Sequence, residues 1–341
     1  NAGIDAIKNG FTHYTSSYGL TEFRQKICET TEKSRGFEPN LNQVLVTPGA
    51  NIAIFYAISC VVDPGEEIIV PDPGFPTYYS TIKMCDVVPV RIPLLESNKF
   101  RMNPKDIENS ITEKTRMIII NSPQNPTGSV MTEEEIKMTY DIAKKHDLFL
   151  YSDEIYARMI YKDSTFSSPS RYDKCQERTI ISNGFSKAFA MTGWRLGAVI
   201  GPSHVIEKMK LLLETTSSCV PPFIQKAGIE AIEGEQTSQK NMYAEYEKRR
   251  DLIVNTINSI SGLSCITPGG AFYVFVNIKK TGMTSEAFCE YMLEDAGVAM
   301  LPGTSFGQFG EGFIRICYAV GQDEINNAFE KIKKSISRLD L

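Results

Sequence analysis

Short runs of β-branched and aromatic residues alternate with longer helical patterns, and this alternation constrains the fold more than any other feature of the sequence. Seven runs carry it, at residues 44–47, 68–70, 87–90, 117–121, 149–152, 179–182 and 198–201. Strands that alternate with helices form a mostly parallel sheet, because each return to the same edge of the sheet needs a crossover connection. We therefore predict an α/β fold in which a mostly parallel seven-stranded sheet has helices on both faces.

The rhythm changes in the last quarter of the chain. Residues 203–260 have mostly helical patterns, and short strand patterns at 271–277, 298–301 and 313–318 then interleave with two amphipathic helices. A chain of 341 residues is long enough for one large and one small domain. We predict a large α/β domain over residues 1–240 and a smaller α+β domain over residues 241–341.

Composition excludes several classes of partner. The chain has 36 Lys and Arg against 41 Asp and Glu, a net charge of −5, which argues against a nucleic-acid partner and against an anionic membrane surface. Its longest apolar run, at about residues 52–62, is shorter than the roughly 20 residues that a membrane span needs. The chain opens at Asn1 in a helical pattern, and we expect a further N-terminal segment before it.

The eight cysteines are scattered through the chain without a CxxC pair. That spacing predicts neither a zinc site nor a disulfide framework, and we predict that the protein holds no metal. Reduced thiols are typical of a cytoplasmic enzyme, so we expect a cytoplasmic location.

One stretch, SNGFSKAFAMTGWRLG at residues 182–197, sets Ser186 beside Lys187 and places Arg195 eight residues after that lysine. An amine forms an imine with a carbonyl only when it is neutral, and burial or neighbouring cations favour the neutral form. The stretch therefore indicates a reactive lysine in a pocket that also binds an anion. A solvated helix face would explain the same two cations, and the neighbouring motifs decide between the two interpretations.

Those motifs follow the predicted strands, and ligands of parallel sheets bind beyond the carboxyl ends of the strands. Backbone amides at the start of a helix can bind a phosphate, as the glycine turn after the first run could. The run that ends in Asp-Glu also imitates the magnesium strand of P-loop ATPases, but the sequence has no Gly-Lys pair. The residues that follow the runs are Gly49, Ala50, Asn51, Phe75, Asn125, Asp153, Glu154 and Tyr156.

Two motifs near the C-terminus have chemical interpretations. The GTSFG at residues 303–307 matches the GxSxG of serine hydrolases, but no histidine follows His204, so we reject a hydrolase. In FIRICYA, Arg315 lies on an alternating strand between apolar residues. A buried guanidinium must be paired, and its planar shape fits a carboxylate, either of a substrate or of a structural salt bridge.

Ser186-Lys187 followed by Gly193-Trp194-Arg195, with these companion motifs in order, resembles the pyridoxal-phosphate site of the class I/II aminotransferases of fold type I, which include the aspartate and aromatic enzymes. The resemblance runs over essentially the whole chain. It implies pyridoxal 5′-phosphate as cofactor, bound to Lys187 as a Schiff base. It also implies transfer of an amino group from an L-amino acid, either aspartate or an aromatic or neutral one, to a 2-oxo acid such as 2-oxoglutarate.

The resemblance also implies a role for each site residue. An aspartate beside the pyridine nitrogen keeps that nitrogen protonated, and the protonated ring accepts electrons from the substrate. The implied catalytic residues are Lys187, Asp153 and Tyr156. The implied cofactor contacts are Asp153 on the ring nitrogen, Asn125 and Tyr156 on the phenolic oxygen, Phe75 on the ring face, and Gly49, Ala50, Asn51, Ser186, Arg195 and Tyr14 on the phosphate. Arg315 and Asn125 are the implied contacts of the substrate.

In the family, a tyrosine at the position of Tyr14 reaches the site of a neighbouring subunit, so the resemblance implies a homodimer. The chain departs from the pattern at Asn51, where bacterial aspartate aminotransferases often have a lysine that meets a second substrate carboxylate. The choice between aspartate and neutral donors therefore stays open. Two other hypotheses remain, a pyridoxal-phosphate-dependent β-lyase and a non-enzymatic sensor of the kind fused to DNA-binding domains.

Overall fold

The computed structural model describes residues 1–339, and its main element is a seven-stranded sheet in the order β1-β7-β6-β5-β4-β2-β3. All neighbouring strands pair in parallel except β7, which runs antiparallel to both β1 and β6. The prediction of a mostly parallel sheet of seven strands is confirmed. The strands are β1 Val44–Thr47, β2 Glu67–Asp72, β3 Val88–Pro93, β4 Thr115–Asn121, β5 Phe149–Asp153, β6 Thr179–Gly184 and β7 Gly197–Ile200.

Both faces of the sheet are buried under helices, which explains why its strands read as continuous apolar runs. In β4, Met117 and Ile119 belong to the core on one face, whereas Ile118 and Ile120 belong to the core on the other. The helices are α1 Ala2–Lys8, α2 Thr21–Arg35, α3 Ala50–Val61, α4 Pro76–Met84, α5 Pro104–Asn109, α6 Glu133–Lys145, α7 Ser170–Asp173, α8 Phe185–Ala188, α9 Ser203–Ser217, α10 Pro222–Glu233, α11 Thr237–Asn258, α12 Ser285–Ala296 and α13 Gln322–Ile336.

The edge strand β3 differs from its predicted bounds. The sequence run suggests residues 87–90, but the strand spans Val88–Pro93, and all of its side chains except that of Ile92 are exposed or only partly buried. An edge strand tolerates proline because one row of its amides has no sheet partner. The β-branched pattern alone therefore ends the predicted strand too early.

A second sheet of four antiparallel strands, in the order β10-β11-β9-β8, forms near the C-terminus. Its predicted strand at 298–301 is shorter than expected, because the Val298 amide donates to the Met292 carbonyl and so closes α12 instead of joining the sheet. The predicted domain boundary at residue 240 falls inside α11, and the division stays a prediction. The strands are β8 Ser264–Cys265, β9 Tyr273–Asn277, β10 Leu301–Pro302 and β11 Phe313–Cys317.

Within residues 1–339, the structure contains no helix that is both long and apolar enough to cross a membrane.

A buried carboxylate joins the two sheets. Asp72, fully buried at the end of β2, accepts hydrogen bonds from the backbone amides of Gln308 and Phe309 at 3.2 and 3.1 Å and from Arg91 at 3.0 Å. A Cβ on Gly307, whose φ is +138°, would lie 2.1 Å from an Asp72 oxygen. The second glycine of GTSFG is therefore required because the loop closes on Asp72.

Replacing Asp72 by asparagine should destabilise the protein by about 2–4 kcal/mol, because two buried amides and a guanidinium lose a charged acceptor. Urea unfolding of the Asp72→Asn variant measures this loss. The matched control is Asp147→Asn, whose carboxylate pairs with Arg178 but is 95% exposed, and which should unfold like wild type. Equal unfolding midpoints for Asp72→Asn and Asp147→Asn would contradict the role of Asp72.

Candidate active site

A cavity of about 360 Å³ lies at the carboxyl ends of the central strands, beside β9 and β11 of the second sheet. It brings together residues that the sequence predicts from six separate segments. The predicted residues that line it are Ala50, Asn51, Phe75, Asn125, Asp153, Tyr156, Ser186, Lys187, Arg195 and Arg315.

Lys187 lies in the short helix α8 directly after β6, and its amine is 5.4 Å from the centre of the Phe272 ring. Burial lowers the pKa of this amine, and the nearby charges of Arg315 and Arg195 lower it further. The neutral amine is the nucleophilic form, so the surroundings of Lys187 favour reaction with a carbonyl carbon.

An anion cradle forms where the start of α3 meets the loop after α8. Gly49 precedes α3 with φ +84°, and a Cβ there would lie 2.5 Å from Nη2 of Arg195. Arg195 Nη1 donates to the Thr192 carbonyl at 2.9 Å and to Ser186 Oγ at 3.5 Å. Within residues 1–339 this arginine forms no ion pair with a carboxylate. The guanidinium, the hydroxyl and the free amides of α3 together suit a phosphate.

Asp153 ends β5 with its carboxylate fully buried at the cavity. It accepts hydrogen bonds from the Tyr78 hydroxyl at 2.7 Å and from the Ile155 amide at 3.2 Å. Burial raises the pKa of Asp153 to about 6, although both hydrogen bonds act in the opposite direction. A cation placed next to this carboxylate would favour its ionised form.

Tyr78 is a site residue that sequence reasoning missed. It lies three residues after Phe75, and the two rings meet edge to face at 5.7 Å. The spacing i, i+3 at the start of α4 places both rings on one side of the helix, and this was the available signal.

Arg315 projects from β11 between two rings, with its guanidinium carbon 4.4 Å from the centre of Tyr273 and 4.7 Å from that of Phe306. Its Nη1 donates to Asn125 Oδ1 at 2.9 Å, and its Nε has no hydrogen-bond partner. No carboxylate pairs with this arginine in the described part of the chain, so the alternative of a structural salt bridge finds no support. Arg315 is therefore available for the carboxylate of a ligand.

Tyr156 and Tyr273 face each other across the cavity wall, and their hydroxyl oxygens are 2.9 Å apart. Sequence reasoning assigned no role to Tyr273, because an aromatic residue in an alternating strand reads as core. Only the fold shows that β9 borders the site.

Three residues singled out in the sequence lie elsewhere. Tyr14 is 88% exposed and is not at the cavity of its own chain. Glu154 is buried outside the cavity, where it pairs with Arg35 and accepts from Ser168, in agreement with a structural role. Ser305 of GTSFG lies in a 3₁₀ turn rather than between a strand and a helix, which agrees with the rejection of a hydrolase.

The donor set fits pyridoxal phosphate. The cradle suits its phosphate, and Phe75 offers a flat ring face. The buried carboxylate of Asp153 suits its ring nitrogen, and the amine of Lys187, with its lowered pKa, suits its carbonyl carbon. Within residues 1–339 no group of three or more His, Cys, Asp or Glu could hold a metal ion.

Comparison with known proteins agrees with this geometry. The family model described as aminotransferase class I and II matches residues 1–332. An aspartate aminotransferase of Pyrococcus horikoshii is 40% identical over 333 residues, 97% of this chain and 85% of the relative. Aromatic-amino-acid aminotransferase 2 of Thermococcus litoralis is 38% identical over 340 residues, 99% of this chain and 87% of the relative.

Solved structures show the same likeness. The crystal structure of an aromatic aminotransferase from Pyrococcus horikoshii has a TM-score of 0.96 at 39% identity, covering 99% of this chain and 91% of that one. That of an aspartate aminotransferase from Rhizobium meliloti has a TM-score of 0.95 at 34% identity, covering 99% and 87%. The chain therefore belongs to the class I and II aminotransferase family and is a pyridoxal-phosphate-dependent aminotransferase.

Proposed function

We propose that this aminotransferase prefers L-amino acids with aromatic or other neutral side chains as donors, with a 2-oxo acid such as 2-oxoglutarate as acceptor. The observation that carries the proposal is the charge inventory of the cavity. The cations that line it are Lys187, Arg195 and Arg315. Their proposed partners are the cofactor's carbonyl carbon, its phosphate and the substrate's α-carboxylate, so none of the three is left for a second substrate carboxylate. Relatives named for aspartate and for aromatic amino acids are almost equally similar, so the proposal rests on the cavity.

The walls of the cavity support a neutral side chain. Phe75, Tyr156 and Tyr273 line it, and the neutral amide of Asn51 stands at the start of α3. An unpaired carboxylate that leaves water for such a site loses hydration without a compensating charge.

Each proposed role follows from the contacts of its side chain. Bound pyridoxal phosphate supplies a carbonyl carbon for amines and a ring that accepts electrons from the substrate α-carbon. Ser186, Arg195 and the amides of α3 would hold its phosphate. Asn125 and Tyr156 would donate to its phenolic oxygen, and Phe75 would cover its ring.

The proton transfers fall to two of these residues. Lys187, as a free amine, would remove the proton from the substrate α-carbon and deliver it to the former carbonyl carbon of the cofactor, work that contributes about 10²–10⁴-fold. Asp153 would hold a proton on the ring nitrogen, because its buried carboxylate gains stability from a cation beside it. Arg315 would orient the substrate through its α-carboxylate.

A donor screen against 2-oxoglutarate tests the preference. We expect kcat/KM for L-phenylalanine or L-tyrosine to exceed that for L-aspartate by about 10-fold or more, since none of the cations that line the cavity within residues 1–339 is left for the aspartate side chain. Asn51→Lys should raise the aspartate value by about 5–10-fold, and the neutral control Asn51→Gln should not. A wild-type preference for aspartate would contradict the proposed substrate class but not the reaction.

Asp153→Asn should separate the function of the carboxylate from its effect on stability. With cofactor bound, single-turnover conversion of a donor should fall by roughly 10³-fold, about 4 kcal/mol, because the ring nitrogen loses the charge that keeps it protonated. Conversion within a few-fold of wild type by a variant shown to be loaded would make Asp153 structural.

Without cofactor, the same variant should be more stable than wild type at pH 7. The folded-state pKa of about 6 lies above the usual value, so the ionisable carboxyl of Asp153 lowers stability as the pH rises from about 4 to 6, and the full loss is present above pH 6. The gain should approach about 2–3 kcal/mol and disappear as the pH falls through 6 toward 4, where wild type binds the proton. Urea unfolding at pH 4 and pH 7 measures it, and an equal difference at both pH values would exclude this cause.

We also propose a homodimer in which Tyr14 serves the partner's phosphate cradle, and a cytoplasmic location, which the eight free thiols support. Ile4, Ile7 and Phe11 are exposed between 38% and 55%, and Tyr14, which follows them in the chain, is 88% exposed. Large apolar side chains exposed along one segment favour association with another chain.

Mixing two defective variants tests the shared site. Lys187→Ala and Tyr14→Ala should each be weak alone, at a cofactor concentration that leaves the Tyr14→Ala homodimer empty. Dissociated and reassembled together, they should recover about a quarter of wild-type activity, because half of the dimers are hybrids with one intact site. No recovery in hybrids confirmed by mass would place Tyr14 outside the partner's site.

A further inference from the structure

Tyr273 stands between two groups that the reaction uses separately. It lies on β9 of the second sheet and is only 6% exposed. Its hydroxyl is 2.9 Å from that of Tyr156, and its ring centre is 4.4 Å from the guanidinium carbon of Arg315. One side chain therefore contacts a cofactor-side residue with its polar end and a substrate-side residue with its ring.

The number of protons on the two hydroxyls decides which of them donates the hydrogen bond. Burial raises the pKa of both Tyr156 and Tyr273, so each phenol keeps its single proton at neutral pH. Only one of the two protons can lie between the two oxygens. When Tyr156 donates into the cavity, the hydrogen bond between them must come from Tyr273.

We propose that Tyr273 is a positioning residue that donates to Tyr156, which fixes the Tyr156 proton toward the cofactor's phenolic oxygen, while its ring holds the Arg315 guanidinium for the substrate carboxylate. The inference rests on the roles proposed above for Tyr156 and Arg315. Tyr273 itself needs no contact with the reacting atoms.

The two contacts act on different quantities. A donor to the Tyr156 oxygen strengthens the outward hydrogen bond of Tyr156, because hydrogen bonds in a chain polarise one another. The ring of Tyr273 stabilises the orientation of Arg315 through a cation–π contact, which it shares with Phe306 on the other side at 4.7 Å. Removal of the hydroxyl should therefore affect the cofactor, and removal of a ring should affect carboxylate binding.

The hydroxyl is tested with Tyr273→Phe, which keeps the ring, in the holoenzyme. Spectrophotometric titration of the bound cofactor should show its visible chromophore titrating about half a pKa unit higher, since the phenolic oxygen receives a weaker hydrogen bond. The KM for the donor should change less than about 2-fold, because Arg315 keeps both rings.

The ring is tested with Phe306→Leu, which leaves the hydroxyl pair intact. This variant should raise the donor KM by about 3–5-fold, from loss of one cation–π contact, and leave the chromophore pKa unchanged. Tyr273→Leu should show both effects together. This split between spectrum and KM is one that a purely structural role would not produce.

Tyr156→Phe distinguishes the possible failures. If Tyr156→Phe raises the chromophore pKa and Tyr273→Phe does not, Tyr273 is no donor and this inference is wrong, while the proposed site stands. If Tyr156→Phe also leaves the pKa unchanged, the proposed contact of Tyr156 with the cofactor fails as well. A large rise in donor KM in Tyr273→Phe would refute the separation of hydroxyl and ring.

Discussion

The buried carboxylate of Asp153 is the constraint around which this site is arranged. It ends a strand whose neighbours on both faces are apolar, and burial raises its pKa to about 6 even though Tyr78 and the Ile155 amide donate to it. Such a group opposes folding unless a cation lies beside it. The same property that destabilises the empty site therefore creates affinity for a protonated ring nitrogen.

The cations of the cavity follow the same logic. Arg195 and Arg315 hydrogen-bond to uncharged groups, and within residues 1–339 neither pairs with a carboxylate. Like charges near Lys187 lower its pKa in addition to burial. The proposed counterions of these two arginines are the cofactor's phosphate and the substrate's carboxylate. Binding of cofactor and substrate should therefore stabilise the folded chain by mass action.

Most of the fold and much of the site could be predicted from sequence, because the apolar runs fix the strands and their carboxyl ends gather the motifs. The residues predicted at the cavity came with local signals, such as the glycine turn before α3. Tyr78 and Tyr273 had none strong enough, since a buried tyrosine reads as core until its hydroxyl has a partner. The ends of β3 and β10 were also predicted wrongly. The end of β3 depends on its position at the edge of the sheet, and the start of β10 depends on how α12 closes, and neither is visible in the sequence.

Register in the second sheet then decides which side chains reach the cavity. In the β9–β11 pairing, Arg315 lies opposite Phe275, and Cys317 lies opposite Tyr273. Arg315 and Tyr273 are therefore diagonal neighbours on one face, which is the arrangement that stacks the guanidinium on the ring. A slip of one residue in β11 would turn Arg315 into the core and bring Ile314 or Ile316 to the cavity. The apolar face of β11 that packs into the core thus also fixes the orientation of the arginine, so the packing of the small sheet is part of substrate recognition.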